Sequence, residues 1–571
     1  MSQGFSDPEK SKKASKQKKN GRSNDVEGKN IQDVEGKNIQ QALTFMQQRN
    51  YKDAEIIYRS LIKKNLKNHV VNSLDILNNL GAALYQQGKL QEAIDYYKKA
   101  LAIDPNSLDA LNNLGAALYQ QGKLQEAIDY YKKALAIDPN FVNALSGLSA
   151  VLCKQGKLQK AVDCCKKALA IDPNFVNALS GLGAALIQLG EAQEAIYYCK
   201  KALAINPNFV DALSNLGESL AQLGEHEEAI TILRKAISLS PGHPIAHKNL
   251  SLKLLLSGDY ENGWKEYEWR FDGEVRLNSF NLHAHPPSSL KKWDGGSHCS
   301  GNRLVVIGEQ GLGDILQFMR YIPYLRKRGM TVALCTVHTK LYGLIQASGI
   351  ASELYIPEEV SQLTMGEWLP LLSLPIYLKV RPDNLLVRES YIKAPEERIS
   401  YWKQKLSSEK RPIIGINWQG NAKAERGSTR GRSFPLETFT PLTEKTDASL
   451  LSLQKGSGSE QLAGCKFLDR FVGCQEEINQ TWDFVETAAM MLNCDLIITM
   501  DTVVAHLAGG LGRPTWLLLK KFPDWRWGME GDTTFWYPSM RLLRQRQRGN
   551  WQEVMDRTAS ALQQIVSSRQ A

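Results

Sequence analysis

A repeat of 34 residues is the feature that most limits how this chain folds. The segment LNNLGAALYQQGKLQEAIDYYKKALAIDPN occupies residues 77–106 and recurs unchanged at 111–140. Related copies begin at residues 141, 175 and 209. One such copy is too small to bury its apolar face alone, so neighbouring copies must stack on one another. The period therefore predicts a superhelical array of short helices.

Each copy carries the residues of a helical hairpin. The positions that recur are Leu80, Gly81, Gly88, Ala93, Tyr97, Ala100 and Pro105. Small residues let the two helices cross closely, Gly88 lies in the turn, and Pro105 ends the second helix. This spacing resembles that of the tetratricopeptide repeat. A degenerate unit at about 40–72 precedes these copies and a last copy at 243–273 closes the array, which we expect to span residues 39–273.

One position on the first helix of the repeat is Asn in four copies. These residues are Asn79, Asn113, Asn215 and Asn249, and the middle copies carry Gly147 and Gly181 instead. A row of Asn amides can donate to and accept from the backbone of an extended peptide, and similar arrays in protein O-glycosyltransferases are understood to hold substrates in this way. The alternative is that Asn is tolerated on a solvated face. We expect protein partners to bind through the repeats.

Basic residues are concentrated near the start of the chain. The net charge is +10, and residues 10–22 contain seven Lys or Arg and no acid. This composition favours a disordered, solvated tail over residues 1–38, with a tether to nucleic acid or to a membrane as the alternative. Because the sequence contains no uninterrupted apolar run near 20 residues, we expect neither a secretion signal nor a membrane span, and a cytoplasmic protein.

The nine cysteines are an odd number and form no Cys-x-x-Cys pair. Cys164, Cys165 and Cys199 stand where neighbouring repeats carry Tyr. We interpret them as buried fillers in a reducing compartment, and we predict neither disulfides nor a metal site.

The composition changes where the repeats end, since all twelve Trp lie at or beyond residue 264. After a polar connector, residues 274–302, short apolar segments alternate with longer helical ones. Strands are predicted near 304–308, 331–336, 353–356, 412–418, 449–454, 495–500 and 515–519. Such alternation is typical of parallel sheets with crossover helices. We predict two Rossmann-like lobes, residues 303–395 and 396–571, with a ligand at the carboxyl ends of the strands.

The first predicted strand of this half runs into a glycine-rich turn. Gly308, Gly311 and Gly313 do not have the Gly-x-Gly-x-x-Gly spacing of a dinucleotide fingerprint, and the second strand ends without a clear acidic partner. Asp314 follows at the start of a helix. On these residues alone it is either a helix-capping side chain, worth about 0.5–2 kcal/mol, or a carboxylate held at a reaction centre.

A second turn of interest follows the predicted strand that ends at Met500. Asp501 and Thr502 precede a helix rich in small residues. The backbone amides of Thr502, Val503 and Val504 would point out of the helix N-terminus, where partial positive charge favours a phosphate. Any α/β crossover produces such a helix end, so this turn alone is weak evidence for a site.

Several ordered motifs resemble one enzyme family over residues 300–550. They are GEQGLGDILQFMRYIP, LPLLSLP, GINWQGN, RSFPLETF, LLSLQKG, DFVETAAMMLNCDLIITMDTVVAHLAGGLGRPTWLLL and PDWRWG followed by WYPSMRLLRQ. Together they resemble the heptosyltransferase-like glycosyltransferases of the family 9 type, which have the GT-B fold, in the form that carries N-terminal tetratricopeptide repeats. The resemblance implies an α-solenoid followed by an α/β GT-B unit of two Rossmann-like lobes.

The resemblance also implies an inverting displacement without a metal or cofactor. Asp314 matches the proposed general base, which takes the proton of an acceptor hydroxyl as it attacks the sugar. The helix at Thr502 matches the diphosphate site of the donor, and Asp501 matches a position near the sugar hydroxyls. Gly311 and Gly313 would let the donor approach the first-lobe loop.

Other polar residues are expected to complete the nucleotide-sugar site. Lys455 would place a charge on the diphosphate, or is an exposed loop lysine, and Glu486 would accept from the ribose, or is only a first-turn carboxylate. Asn417 and Gln419 are expected to face the cleft, and Arg432, downstream of a polar loop at 422–431, is expected to close on the diphosphate. His506 is either part of the site or a packed core histidine.

The leading interpretation is a glycosyltransferase that moves a sugar from a nucleotide-sugar donor to a hydroxyl of a protein or glycan acceptor. We expect no nucleic-acid partner. One alternative is an enzyme resembling protein O-GlcNAc transferases, which share the layout of repeats plus GT-B unit. The other is a protein-interaction scaffold whose glycosyltransferase-like part is inactive.

Overall fold

The computed structural model describes residues 36–68, 74–271, 290–296, 303–422 and 425–570. It divides into two compact units, Met1–Ala185 and Leu186–Ala571. The predicted basic tail, residues 1–38, lies outside the described residues except for its last three, which begin a helix at residue 36.

The first unit is built of antiparallel helical pairs. Its helices are α1 (36–47), α2 (Tyr51–Asn68), α3 (Leu74–Gln86), α4 (Leu90–Ile103), α5 (Leu108–Gln120), α6 (Leu124–Ile137), α7 (Val142–Lys154), α8 (Leu158–Ile171) and the greater part of α9 (Val176–Leu189). Gly88 and Gly122 adopt positive φ in the turns within the pairs, which glycine does without strain. The predicted helical hairpins, including the degenerate pair α1 and α2, are confirmed.

Glycine and tyrosine fix the close crossing of the helices in this unit. A Cβ added at Gly81 would lie 2.5 Å from Cε1 of Tyr97, and one at Gly115 would lie 2.9 Å from the same atom of Tyr131. A Cβ at Gly147, on the next helix pair, would also meet Tyr131, at 2.5 Å. Tyr131 is therefore buried between two glycines of successive repeats, and a larger residue at either one would force the ring to move.

The second unit starts with the last helices of the repeat pattern. These are α10 (Ala192–Ile205), α11 (Val210–Gln222), α12 (His226–Leu239), α13 (Pro244–Leu256) and α14 (Tyr260–Tyr267). The indole Nε1 of Trp264 donates to the carbonyl oxygen of Val380 at 2.9 Å, and its ring packs in the core of the first lobe. Trp264 thus packs the last helix of the repeats against the α/β part.

Two five-stranded parallel sheets follow in the same unit. The first contains β1 (Lys291–Lys292), β2 (Arg303–Ile307), β3 (Thr331–Cys335), β4 (Glu353–Tyr355) and β5 (Glu367–Pro370), in the order β1-β5-β2-β3-β4. The second contains β6 (Ile413–Ile416), β7 (Ser449–Ser452), β8 (Leu496–Met500), β9 (Thr515–Leu519) and β10 (Met540–Arg544), in the order β10-β9-β8-β6-β7. The seven predicted strands are confirmed, whereas β1, β5 and β10 were not predicted, and β1 lies within the range assigned to a connector.

Helices connect these parallel strands. They are α15 (Leu312–Phe318), α16 (Tyr321–Lys327), α17 (Tyr342–Ala347), α18 (Pro357–Val360), α19 (Leu374–Tyr377), α20 (Glu396–Lys405), α21 (Thr440–Lys445), α22 (Gln475–Gln480), α23 (Phe484–Leu492), α24 (Val503–Gly510) and α25 (Trp551–Gln570). Short 3-10 segments lie at Glu268–Phe271, Thr339–Leu341, Leu371–Ser373, Gly427–Thr429, Leu436–Phe439, Ser459–Gly464, Leu468–Arg470 and Trp525–Trp527. The chain therefore contains a helical array and two parallel α/β sheets, as predicted.

Two further expectations concern helices and cysteines. Among the described helices, each is too short or too polar to cross a bilayer. The cysteines of the described residues are free, with Cys165 and Cys199 buried and Cys164 half-buried. Burial as side-chain fillers is therefore confirmed for Cys165 and Cys199.

Candidate functional site

The glycine-rich turn after β2 forms a tight start to α15. Gln310 adopts positive φ (64°), and the amide of Gly311 donates to Oδ2 of Asp314 at 3.0 Å. Asp314 therefore caps its own helix, as one of its two interpretations predicted. A Cβ added at Gly313 would lie 2.9 Å from Cδ2 of His506. Only glycine at this position lets α15 approach α24, the helix at the end of β8, so closely.

Asp314 is also part of a half-buried charge cluster. Its Oδ1 pairs with the guanidinium of Arg526, which also donates to Asp524 at 2.8 Å and to Gln317 at 2.6 Å. Burial raises the pKa of the Asp314 carboxyl, and the attraction of Arg526 opposes that rise. A carboxylate whose pKa is raised by burial accepts a proton more readily than a fully solvated one, whereas the pair with Arg526 works against that gain.

The turn after β8 holds the second set of predicted residues. Thr502 is the N-cap residue of α24, and its hydroxyl donates to Oδ1 of Asn417 at 2.9 Å. The amides of Val503 and Val504 open the helix without intrahelical acceptors and are available to an anion, whereas that of Ala505 donates to the carbonyl oxygen of Thr502 at 3.1 Å. Burial, reinforced by repulsion from Asp524, raises the pKa of Asp501 to about 6.

A pocket of about 600 Å³ lies at this turn. The predicted residues that line it are Asn417, Gln419, Lys455, Thr502, Val503 and Val504. Leu312 of α15 and Lys340 contribute to its wall from the first lobe. The pocket thus lies at the carboxyl ends of β6, β7 and β8, where open parallel sheets bind ligands.

Gln454 organises the loops of this pocket and was not predicted as a site residue. Its Oε1 accepts from Nδ2 of Asn417 at 2.7 Å and from the amide of Gln419 at 3.1 Å. Its Nε2 donates to the carbonyl oxygens of Gln419 at 2.9 Å and of Ser457 at 2.7 Å. One buried amide therefore fixes the loops that follow β6 and β7.

Lys455 brings a cation to the same pocket. Its ammonium donates to the carbonyl oxygen of Ile478, and burial lowers the pKa of Lys455 to about 8. A bound anion would reverse that shift by favouring the charged form. The lysine is half-buried, so the structure does not support its interpretation as an exposed loop lysine.

The pocket rim carries an aromatic residue that was not predicted. Trp482 lines the pocket with 57% of its surface exposed, and the ammonium of Lys340 lies 5.5 Å from its ring centroid. In contrast, Trp525, Trp527 and Trp536 are buried. An exposed indole at a pocket rim offers a flat surface on which a base can stack.

Glu486 is not brought into the pocket. Its Oε1 pairs with Nε of Arg398 at 2.5 Å, and its Oε2 accepts from Nε1 of Trp402 at 2.6 Å. Both partners belong to α20, which packs on α23, so the carboxylate faces that helix. The structure does not support a contact of Glu486 with a ribose, and the interpretation as a first-turn carboxylate agrees with this arrangement.

Three further predicted residues, His506, Arg432 and Asp501, lie beside the pocket and do not line it. His506 is buried, its Nδ1 lies 3.0 Å from the Tyr537 hydroxyl, and its ring stacks on Trp527, so it is the packed core histidine of its second interpretation. Arg432 donates to the carbonyl oxygen of Asp501 at 3.2 Å and to Glu425 at 3.2 Å. It therefore braces the turn that carries Asp501 and Thr502.

The four repeat asparagines are half-buried on the first helices of their repeats. In the first unit, Nδ2 of Asn113 donates to Oδ1 of Asn78 at 3.1 Å, which links successive repeats. Asn79 lies in the same unit, and Asn215 and Asn249 lie in the second. Binding of a peptide by these side chains stays a prediction.

Arg270 links the last repeat to the glycine-rich turn, and the sequence analysis missed it. It is buried, and its guanidinium donates to Oε2 and Oε1 of Glu309 at 2.9 and 2.7 Å. The neighbouring Tyr267 accepts from Nε2 of Gln310 at 2.8 Å. The two residues that precede Gly311 are therefore held by the closing repeat.

Comparison of the chain with known protein families identifies its helical part. Two models of the tetratricopeptide repeat match the chain, one at residues 37–106 and 72–140 and the other at 118–186 and 186–254. The helical pairs of the first 270 residues or so are therefore tetratricopeptide repeats, and such repeats are protein-interaction modules.

A curated relative matches about half of the chain. Protein FlbA of Caulobacter vibrioides is 24% identical over 333 residues, which cover 54% of this chain and 53% of FlbA. The chain thus spans about half the length of the curated relative it matches.

Solved structures resemble the repeats. TTC0263, a thermophilic tetratricopeptide repeat protein of Thermus thermophilus, is 25% identical over 32% of this chain and all of its own, with a TM-score of 0.30. A tetratricopeptide repeat protein of Parabacteroides merdae is 18% identical over 43% of this chain and 94% of its own, with a TM-score of 0.34.

Proposed function

We propose that the protein is a glycosyltransferase of the GT-B type, which moves a sugar from a nucleotide-sugar donor to an acceptor hydroxyl. The observation that carries this proposal is the pocket of about 600 Å³ at the first turn of α24, with the turn that bears Asp314 packed against the same helix. An anion-binding helix end and a carboxylate of raised pKa therefore occur in neighbouring turns of two facing lobes.

The donor diphosphate would lie on the first turn of α24. The amides of Val503 and Val504 offer donors that cost no reorganisation during the reaction, and Lys455 adds a positive charge. Both features act on the negative charge that develops as the diphosphate leaves. The nucleoside would extend towards Trp482 at the pocket rim.

Asp314 would take the proton of the acceptor hydroxyl as the oxygen attacks the anomeric carbon. The new bond forms on the face opposite the departing diphosphate, so the anomeric configuration inverts. The proton passes to Oδ1 or Oδ2 of Asp314, and Arg526 holds the carboxylate in place before transfer. The repeats would recruit the acceptor, either a protein or a glycan.

A thermal-shift measurement with nucleoside diphosphates tests the donor site. The full chain is mixed with UDP, ADP, GDP or CDP, and the cognate diphosphate should raise the melting temperature by linkage. Lys455→Met should reduce that shift, whereas Lys466→Met, which changes a lysine outside the pocket, should not. A chain that responds to none of the four has no donor site of this kind.

A scaffold without catalysis is the second candidate, and one observation favours it. The carboxylate of Asp314 is paired with Arg526, and the ammonium of Lys455 is bonded to a backbone carbonyl, so both groups already have partners. Lack of any nucleotide response together with tight binding of protein partners to the repeats would favour the scaffold. If transfer is detected, Ser and Thr peptides and saccharides offered as acceptors separate an O-GlcNAc-transferase-like enzyme from a glycan-modifying one.

A further inference from the structure

A second cavity, of about 310 Å³, lies between the last repeats and the second lobe within the second unit. The lobe contributes residues 520–523, which directly follow β9, and Gln545, Arg548 and Gly549 from the segment after β10. The repeats contribute parts of α11, α12 and α13. Because β8, β9 and β10 are adjacent parallel strands, this cavity opens on the sheet edge that carries Asp501 and Thr502.

The repeats depart from their own pattern at this cavity. His226 stands where three earlier copies have Leu90, Leu124 and Leu158. Glu218 stands in the position of Ala82 and Ala116, and Lys253 in that of Ala83 and Ala117. All three polar residues line the cavity. A polar side chain in a position that elsewhere holds a small or apolar residue is costly unless it has a partner, so these replacements indicate a specific role.

The cavity is positively charged. Lys253 and Glu218 pair at 3.2 Å and neutralise each other. The remaining charged residues of the wall are Arg430, Lys520, Lys521, Arg548 and the single acid Glu191. Lys520 is also attracted by the carboxylates of Asp501 and Asp524. The cationic wall is therefore close to the proposed reaction centre.

His226 adds hydrogen-bonding capacity that the protein does not use. Within the described residues, neither of its ring nitrogens has a hydrogen-bond partner, and both atoms are buried. Buried polar atoms are almost always satisfied, and an exception calls for an unseen partner. A ligand that brings oxygen atoms into the cavity would satisfy the ring.

The cavity continues the helix faces that carry the repeat asparagines. On α11, Asn215, Glu218 and Gln222 are three and four residues apart, and on α13 Asn249, Lys253 and Leu256 have similar spacing. Residues with this spacing share one face of a helix. A polypeptide lying along those faces would therefore reach the cavity.

We propose that this cavity is an anion subsite for the acceptor, which holds the carboxylate of an acidic residue in an acceptor polypeptide beside the hydroxyl to be glycosylated. The inference rests on the proposed function, since it assigns a substrate class to the same enzyme. A bare contact surface between repeats and lobe would explain Gly224, where an added Cβ would meet Phe522. Arg548 and Lys520 donate to the backbone carbonyl oxygens of Gly190 and Arg430. A contact surface alone would still not explain four cations around an open cavity, or a histidine without a hydrogen-bond partner among the described residues.

Fluorescence anisotropy with labelled peptides on the full chain tests this subsite. The peptide GSEESG is expected to bind about tenfold more tightly than its neutral counterpart GSQQSG, because charge-assisted hydrogen bonds are the stronger class. Arg548→Gln and His226→Leu should each weaken binding of the acidic peptide about three- to tenfold. The second change restores the residue of the earlier repeats, so it should fold.

Arg546→Gln is the matched control, because it removes the same charge from the same loop outside the cavity wall. Equal binding of the two peptides overturns the proposal, and so does an Arg546→Gln effect as large as that of Arg548→Gln. A further outcome is that glucuronate or inorganic phosphate competes while the two peptides bind equally. That result would assign the site to a small anion and overturn the proposal of a polypeptide ligand.

The nucleoside diphosphate shift is measured on the same variants. We expect Arg548→Gln and His226→Leu to keep the thermal shift with the nucleoside diphosphate and to bind the acidic peptide less tightly. This result would support a subsite that is separate from the donor site. If no diphosphate shifts the wild type while the peptide result holds, the transferase proposal fails and the acceptor role with it, and only the anion site stands.

Discussion

The repeats and the α/β lobes are stabilised in different ways. In the repeats a contact recurs, so that the ring of Tyr97 lies against Gly81 as the ring of Tyr131 lies against Gly115. In the lobes, Gln454 holds a network that has no second copy among the described residues, and Arg270 of the closing repeat holds another at the glycine-rich turn of the first lobe. A substitution in the repeats should therefore weaken one of several like contacts, and one in the lobes should disable a site.

The largest expected effect belongs to Asp314. Asp314→Asn keeps the cap geometry but removes the base, and transfer should fall by about 10²- to 10⁴-fold. The nucleoside diphosphate thermal shift should be retained. Asp383→Asn, at an exposed ion pair of the same lobe, is the control and should leave transfer unchanged. Equal turnover of wild type and Asp314→Asn would remove this carboxylate from the mechanism.

The next effect separates two arginines, one within the repeat array and one where the closing repeat meets the first lobe. Arg270→Met leaves Glu309 buried without its cation and should lower the free energy of unfolding by about 3–5 kcal/mol. Arg59→Met breaks pairs with Glu55 and Glu92 that are partly exposed in the repeats, and should cost no more than about 1 kcal/mol.

Urea unfolding measures both variants, with two signals that report different regions. Tryptophan emission reports only the second unit, since every Trp lies at or beyond residue 264, and circular dichroism at 222 nm reports the helices of both. Comparable losses for Arg270→Met and Arg59→Met would contradict the contrast between the regions.

A smaller effect is expected at the pocket rim. Trp482→Ala should weaken binding of the cognate nucleoside diphosphate by about 1–3 kcal/mol, the range of base stacking on an aromatic ring. Trp482→Phe should retain part of the affinity, because it keeps a flat surface. Isothermal titration of the full chain measures both. An unchanged affinity in Trp482→Ala would place the base elsewhere in the pocket.

The smallest effect is a pH dependence of opposite sign in the two regions. For Glu55 in the repeats, burial raises the pKa, but hydrogen bonds from Lys89, Arg59 and Gln87 outweigh it and lower the pKa to about 2. Its stabilisation is present above the unfolded pKa of 4.5 and is lost as the pH falls towards 2. For Asp501, burial raises the pKa from 3.8 to about 6, so the folded state binds the extra proton in that window and stability declines as the pH rises through it.

Urea midpoints at pH 3, 5 and 7 test this pair of signs. Glu55→Gln should destabilise the protein at pH 7 and have a smaller effect at pH 3. Asp501→Asn should stabilise it at pH 7, with a gain that shrinks below pH 5. The same sign for both variants would show that Asp501 is not held in a less favourable environment than water.

The sequence predicted those features that depend on the pattern of neighbouring residues. A fixed period defines the helical pairs, and β8 with the turn at Thr502 was recognisable because an apolar run ends in a capping residue. The short strands escaped prediction, since β1 has two residues, both Lys, and β10 has an Arg at its second and last positions.

The site residues that escaped prediction depend on contacts between distant parts of the chain. Arg526 pairs with a carboxylate 212 residues away, and Gln454 binds Asn417 across 37 residues. The two interpretations of Glu486 stayed open for the same reason, because its partner Trp402 lies 84 residues earlier. Residue type and spacing carry no signal of such partners.

The two identical copies at 77–106 and 111–140 have a consequence for how this chain can vary. Recombination between the two copies would remove or add one 34-residue unit. After a loss Tyr97 would meet Gly147 in the place that Tyr131 now occupies, and no new kind of junction would arise. Related chains could thus differ in the number of repeats, and so in the surface available to protein partners, while the α/β part stays the same.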